Sequence, residues 1–142
     1  MNKDKFILLT VALGFLFLVI ETRHAHAGVW KQDPKAYISP IACGIGFICC
    51  LAGLAAEKKL ATVLGWILVL LSSVGVLGVW FHTQGDLAKL QTMLTSNVRQ
   101  ERLDHDGQFF DERPLLAPMS ISGLAIVGAT VVLANRKKPQ AR

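Results

Sequence analysis

The sequence predicts an all-α membrane protein: four transmembrane helices in a bundle, plus one amphipathic helix in the external 83–114 loop. Three observations carry this. Of 142 residues, 52% are hydrophobic and 18% charged, against about 25% charged in an ordinary soluble domain. The apolar residues come in long blocks, the pattern of segments that cross a bilayer. The basic residues gather between those blocks and at the tail, where they act as topology signals. The net charge of +5 is therefore not read as a nucleic-acid surface. No internal repeat or low-complexity tract divides the chain, so residues 1–142 form one membrane domain.

The first apolar block is "FILLTVALGFLFLVI", Phe6 to Ile20. It reaches crossing length only with its flanks, giving a span of about 6–22. The second, "YISPIACGIGFICCLAGLAA", spans about 37–56. The third, "LATVLGWILVLLSSVGVLGVWF", spans about 60–82, and the fourth, "LLAPMSISGLAIVGATVVLA", about 115–134. A spanning helix needs roughly 20 mainly apolar residues, which the last three supply outright. No Asp, Glu, Lys, Arg or His lies mid-span. Such residues usually mark ion or proton paths, so their absence argues against an ion-coupled transporter or pump. Ser72, Ser73, Gly75, Gly78, Gly123 and Gly128 give the third and fourth helices small faces for close packing.

Four crossings place both termini and the "EKK" turn (Glu57 to Lys59) on one side. That side holds Lys3, Lys5, Lys58, Lys59, Arg136, Lys137, Lys138 and Arg142, all in short segments at helix ends. Arg23, Lys31, Lys35, Lys89, Arg99, Arg102 and Arg113 are spread over longer loops, and the 83–114 loop also carries six acidic residues. The positive-inside rule weighs short segments most, so both termini are expected in the cytoplasm of a bacterium, with the chain multi-pass in its inner membrane. Trp30, Tyr37, Trp80, Phe109 and Phe110 then suit an aromatic belt at the outer interface.

Residues 21–28, "ETRHAHAG", carry two readings of the first block. Ala25-His26-Ala27 before Gly28 fits the small-x-small rule of a signal-peptide cleavage site, behind the basic start "MNKDK". The stretch is also the charged end of a retained helix. Its three ionisable residues besides His26 are poor material for a cleavage region, so the retained helix is preferred.

Helices 1 and 3 both run outward, so Glu21, His24, His26 and His82 share one depth. Were these helices adjacent, an imidazole–carboxylate set there would suit Cu(II) or Zn(II). An axial haem pair is a further reading, although no C-x-x-C-H attachment site exists. His-x-His aligns both rings only in an extended chain, as in a loop just past a helix. The alternative is that these are polar helix ends that bind nothing. His105, between Asp104 and Asp106, reads as a solvated turn.

The second block holds Cys43, Cys49 and Cys50. Its "ICC" and the small size of the chain resemble the mercuric-ion transporters, in which paired thiols pass a soft metal. The resemblance would give that part to Cys49 and Cys50, but the chain lacks the second thiol pair. The competing reading is packing. Ala42, Gly46 and Cys50 step by four and form a small-residue stripe that lets helices approach.

In the external loop, "DLAKLQTMLTSNVRQERL" (86–103) reads as a helix. Leu87, Leu90, Leu94 and Val98 form one apolar stripe, and Asp86 is a suitable N-cap. It is too polar to span, and either docks on a partner subunit or caps its own bundle.

The runs "WFHTQG" and "RPLLAPMSISGLAIVG", with Glu21, Arg23 and His24 closing the first helix, resemble a type of uncharacterised four-span bacterial membrane protein. That resemblance implies architecture and an inner-membrane location, and no activity. The functional expectation is a small non-enzymatic accessory or assembly subunit of a bacterial membrane complex, respiratory or metal-containing. Its partners would be the lipid bilayer and other integral subunits, with no nucleic acid and no small-molecule substrate. The alternative is a membrane protein that binds or transfers copper, zinc or haem through the outer Glu/His cluster.

Overall fold

A computed structural model describes residues 2–25, 34–83, 86, 88, 91 and 116–135. Apart from Asn2, the turn at 54–57 and Asp86, the described residues are helical, with no strand among them. Helix α1 covers Lys3–Ala25, and a 3-10 turn, Pro34–Tyr37, leads into α2, Ile38–Gly53. Helix α3 covers Lys58–Thr83 and α4 Leu116–Asn135. Within these, Lys3–His24, Pro34–Gly53 and Lys58–Phe81 are long and apolar enough to cross a membrane. Helix α4 contributes a shorter apolar helix, Pro118–Ala134.

The predicted segments fall on these helices within a few residues. The second ends at Gly53 rather than 56. There the backbone tightens: Leu54 N–H donates to Leu51 O at 3.1 Å and Ala55 N–H to Ala52 O at 3.3 Å. Such shorter-range bonds close a last turn that has no further i−4 partner. The chain re-enters a helix at once. Ala61 N–H donates to Glu57 O at 2.8 Å, so Lys58 and Lys59 belong to the first turn of α3, not to a linker.

The helices pack as a ring, α1 on α2, α2 on α3, α3 on α4 and α4 back on α1. Helices α2 and α4 also touch across the middle, while no contact joins α1 to α3 among the described residues. The paired positions give the directions. Gly46 of α2 lies at Phe15 of α1 and Gly53 near Leu8; Gly65 of α3 lies at Leu133 of α4 and Gly78 at Pro118. Each ring neighbour is therefore antiparallel, the up-and-down arrangement that short connections favour. One layer joins all four helices: Gly128 of α4 faces Cys50 of α2, Leu68 of α3 and Val11 of α1.

The interior is small and apolar. Leu8, Val11, Ala12, Phe15 and Leu18 of α1 meet Ala42, Cys43, Cys49 and Cys50 of α2, Leu64, Leu68 and Leu71 of α3, and Ile121, Ala125, Ala129 and Val132 of α4. The outside is as apolar as the core. Leu70 is 70% exposed, Phe17 67%, Val76 66% and Ile48 64%. Helices apolar all round are at home in lipid, where no aqueous face is needed. Hydroxyls on these helices turn inward to their own backbone, as hydrocarbon requires: Thr10 donates to Phe6 O, Thr62 to Lys58 O, Ser73 to Leu70 O and Thr130 to Ile126 O.

The α3–α4 seam is the tightest contact. The Ser122 hydroxyl donates across it to Ser72 O at 2.5 Å. A Cβ added to Gly75 would meet the Pro118 carbonyl oxygen and Ser122 Oγ, and one added to Gly78 would lie 2.8 Å from Pro118 Cβ. Small residues here let two backbones approach, the usual basis of helix association in lipid. Pro118 is tolerated because it stands in the first turn of α4, where its missing N–H leaves no bond unmade. Two residues expected on the small faces fall off this seam. Ser73 is exposed, and Gly123 has nothing within 4 Å of an added Cβ. Each is one residue, or about 100°, around the helix from a seam position.

Candidate functional site

The end of the bundle where α1 and α3 finish holds the described members of the predicted set. Glu21 and His24 lie in the last turns of α1, both exposed. Three residues apart on a helix, they are surface neighbours. His24 is thus helical, and the extended His-x-His arrangement does not apply to it: α1 continues through Ala25. His26 lies outside the described residues. His82 belongs to the last turn of α3, and its side chain also lies outside what is described.

The ring order separates the two halves of the proposed set. Helices α1 and α3 occupy opposite corners, so the adjacency that would gather Glu21 and His24 with His82 is not met. Among the described residues, no group of three or more His, Cys, Asp or Glu side chains comes together as a metal site would require. The same turn of α1 has a plain structural reading. Arg23 and His24 stand at the helix C-terminus, where a cation complements the partial negative charge of the last carbonyls.

The thiols lie deeper. Cys43, Cys49 and Cys50 are free and buried. Ala42, Gly46 and Cys50 all face inward on α2, with the Phe15 ring over Gly46 and Gly128 beside the Cys50 sulfur. Cys50 sits where four helices meet, with Gly128, Leu68 and Val11 in the same layer.

One contact at this end had no sequence signal. Lys35 Nζ lies 5.4 Å from the centre of the Phe81 ring, a cation–π pair that ties the 3-10 turn before α2 to the end of α3. Lys35 and Phe81 are 46 residues apart in the chain, and no spacing in the sequence links them. Of the external loop, Asp86 is described, and its Oδ1 accepts the Ala88 N–H at 2.8 Å, the bond an N-cap makes. The stripe Leu87, Leu90, Leu94 and Val98, and His105, lie outside the described residues.

These features define a small helical protein with three helices able to cross a membrane and a closed apolar interior. Comparison with models of known families, with curated proteins and with solved structures finds no match.

Proposed function

We propose that the chain is a four-span protein of a bacterial inner membrane, with both termini cytoplasmic, acting as a non-enzymatic accessory or assembly subunit of a larger membrane complex. The observation that carries this reading is the character of the interior. Among the described residues Thr22 is the sole buried polar or charged side chain, and its hydroxyl donates to Leu18 O at 2.6 Å. An interior of this kind offers no polar path for an ion or substrate. The working surface is then the outside: the exposed apolar helix faces and the 83–114 loop.

Four spans are supported by the length of α4. Its 20 residues give roughly 30 Å of helix at 1.5 Å per residue, about one hydrocarbon thickness. Retention of α1 is supported by the core, since Leu8, Val11, Ala12, Phe15 and Leu18 fill it. Cleavage after Ala27 would remove all five and uncover Gly46 and Cys50.

A metal-binding role remains the second reading, favoured by Glu21 and His24 on one exposed face of α1. The two separate in one preparation. Purified in mild detergent without chelator, the chain is expected to bring other integral subunits with it, and that composition is expected to survive His24→Ala, His26→Ala and His82→Ala. A lone chain loaded with copper, zinc or haem would contradict the accessory role.

A further inference from the structure

The end of the bundle where α1 and α3 begin carries a charge pattern that helix electrostatics disfavours. Lys3 and Lys5 stand in the first turn of α1, and Lys58 and Lys59 in the first turn of α3, all four exposed. A helix N-terminus carries partial positive charge and prefers carboxylates, while a C-terminus prefers cations. At α1 and α3 the placement is reversed: cations stand in the first turn. The last turns of α2 and α4, which finish at this same end, carry no basic residue, although Arg136, Lys137 and Lys138 follow α4 directly in the sequence. Packing brings the helix ends together: Leu8 of α1, Gly53 of α2 and Val132 of α4 form one cluster, and Leu133 of α4 lies against Gly65 of α3. Among the described residues at this end, two carboxylates stand against the four lysines, Asp4 in the first turn of α1 and Glu57 just before α3. A cation excess set on the helix ends least suited to it points to an anion outside the protein.

We propose that Lys3, Lys5, Lys58 and Lys59 bind the phosphate headgroups of anionic phospholipids in the leaflet at this end. The inference rests on the membrane-spanning reading. Each lysine has a long apolar stem that lies along the hydrocarbon edge while its ammonium reaches the headgroups. Near an anionic surface each such charge strengthens association by a factor of roughly five.

Trp66 supplies the probe. It is 56% exposed on α3, and lies roughly 12 Å along the axis from Lys58 at 1.5 Å per residue. That places its indole among the acyl chains beneath the same headgroups. The test uses the full chain with Trp30→Phe and Trp80→Phe, reconstituted in vesicles that mix phosphatidylcholine with phosphatidylglycerol. One or the other lipid carries brominated chains, and quenching of Trp66 reports which surrounds it. The expected result is a preference for phosphatidylglycerol of about fivefold or more. It should fall close to one in Lys3→Gln/Lys5→Gln/Lys58→Gln/Lys59→Gln, and should shrink at about 1 M salt, where the Debye length is roughly 3 Å. Equal quenching by the two lipids would overturn the proposal, as would a preference that persists in the four-lysine variant. Absence of quenching by either lipid would instead sink the membrane-spanning reading on which it rests.

Discussion

Replacing Gly75 with valine is expected to open the α3–α4 seam and cost about 3 kcal/mol or more, the upper end for overpacking a close contact. The added Cβ meets the Pro118 carbonyl oxygen and Ser122 Oγ. Neither yields cheaply. The carbonyl is backbone in the first turn of α4, so moving it moves the helix. The hydroxyl already donates to Ser72 O, so turning it aside forfeits the bond that joins the two helices. Because α4 shifts as a rod, Leu133 over Gly65 and Pro118 over Gly78 loosen with it. Two changes bracket the effect. Ser122→Ala should cost no more than about 1.7 kcal/mol, the largest value typical of a hydrogen bond between membrane helices. Gly123→Ala, with open space at its Cβ, should be neutral or gain a few tenths of a kcal/mol, because alanine suits a helix better than glycine. Reversible unfolding in mixed micelles titrated with a denaturing detergent gives all three values. A Gly75→Val protein as stable as Gly123→Ala would show that the seam is not where the helices meet.

The second large effect belongs to Phe15 and Gly46. The ring is fully buried, and its Cε1 and Cζ atoms lie 2.7 Å from where a Gly46 Cβ would stand. In water, Phe→Ala in a core costs about 3–5 kcal/mol. In a bilayer part of that disappears, because an unpacked helix still keeps the ring in hydrocarbon. What is left is the cavity and the lost contacts, so Phe15→Ala should cost about 2 kcal/mol. Gly46→Leu, pressing into a ring with nowhere to go, should cost about 3 kcal/mol. Together they should cost less than their sum by more than about 1 kcal/mol, since the leucine enters the space the ring leaves. The same unfolding titration measures this cycle, and strictly additive costs would mean that the two residues do not touch.

Much of the architecture was legible in the sequence because lipid simplifies the reading. Backbone bonds must be met within each segment, so length and apolarity alone locate helices α1 to α4 within a few residues. Packing was not legible in the same way. Hydrophobicity does not distinguish a core face from a lipid face when both are apolar, as Leu68 (buried) and Leu70 (exposed) show two residues apart. Small residues carry the missing information, but ambiguously: Gly75 lies in the seam and Gly123 faces open space, and nothing local to either sequence separates them. The adjacency assumed for the candidate histidine set was not legible either. Depth along the membrane follows from counting residues, and it correctly placed Glu21, His24 and the α3 terminus at one end. Which helices are neighbours depends on ring order, and that put α1 and α3 at opposite corners.

The number of crossings is tested most directly by cysteine accessibility in intact cells. With Cys43, Cys49 and Cys50 replaced by alanine, single cysteines at Asn2, Glu57 and Gln140 are treated with a maleimide that cannot cross the membrane. Four crossings with cytoplasmic termini predict that all three stay unlabelled until the membrane is permeabilised, while a cysteine at Asp86 reacts at once. Labelling of position 140 in intact cells with position 2 still protected would mean that α4 does not cross, and would contradict the four-span protein proposed here.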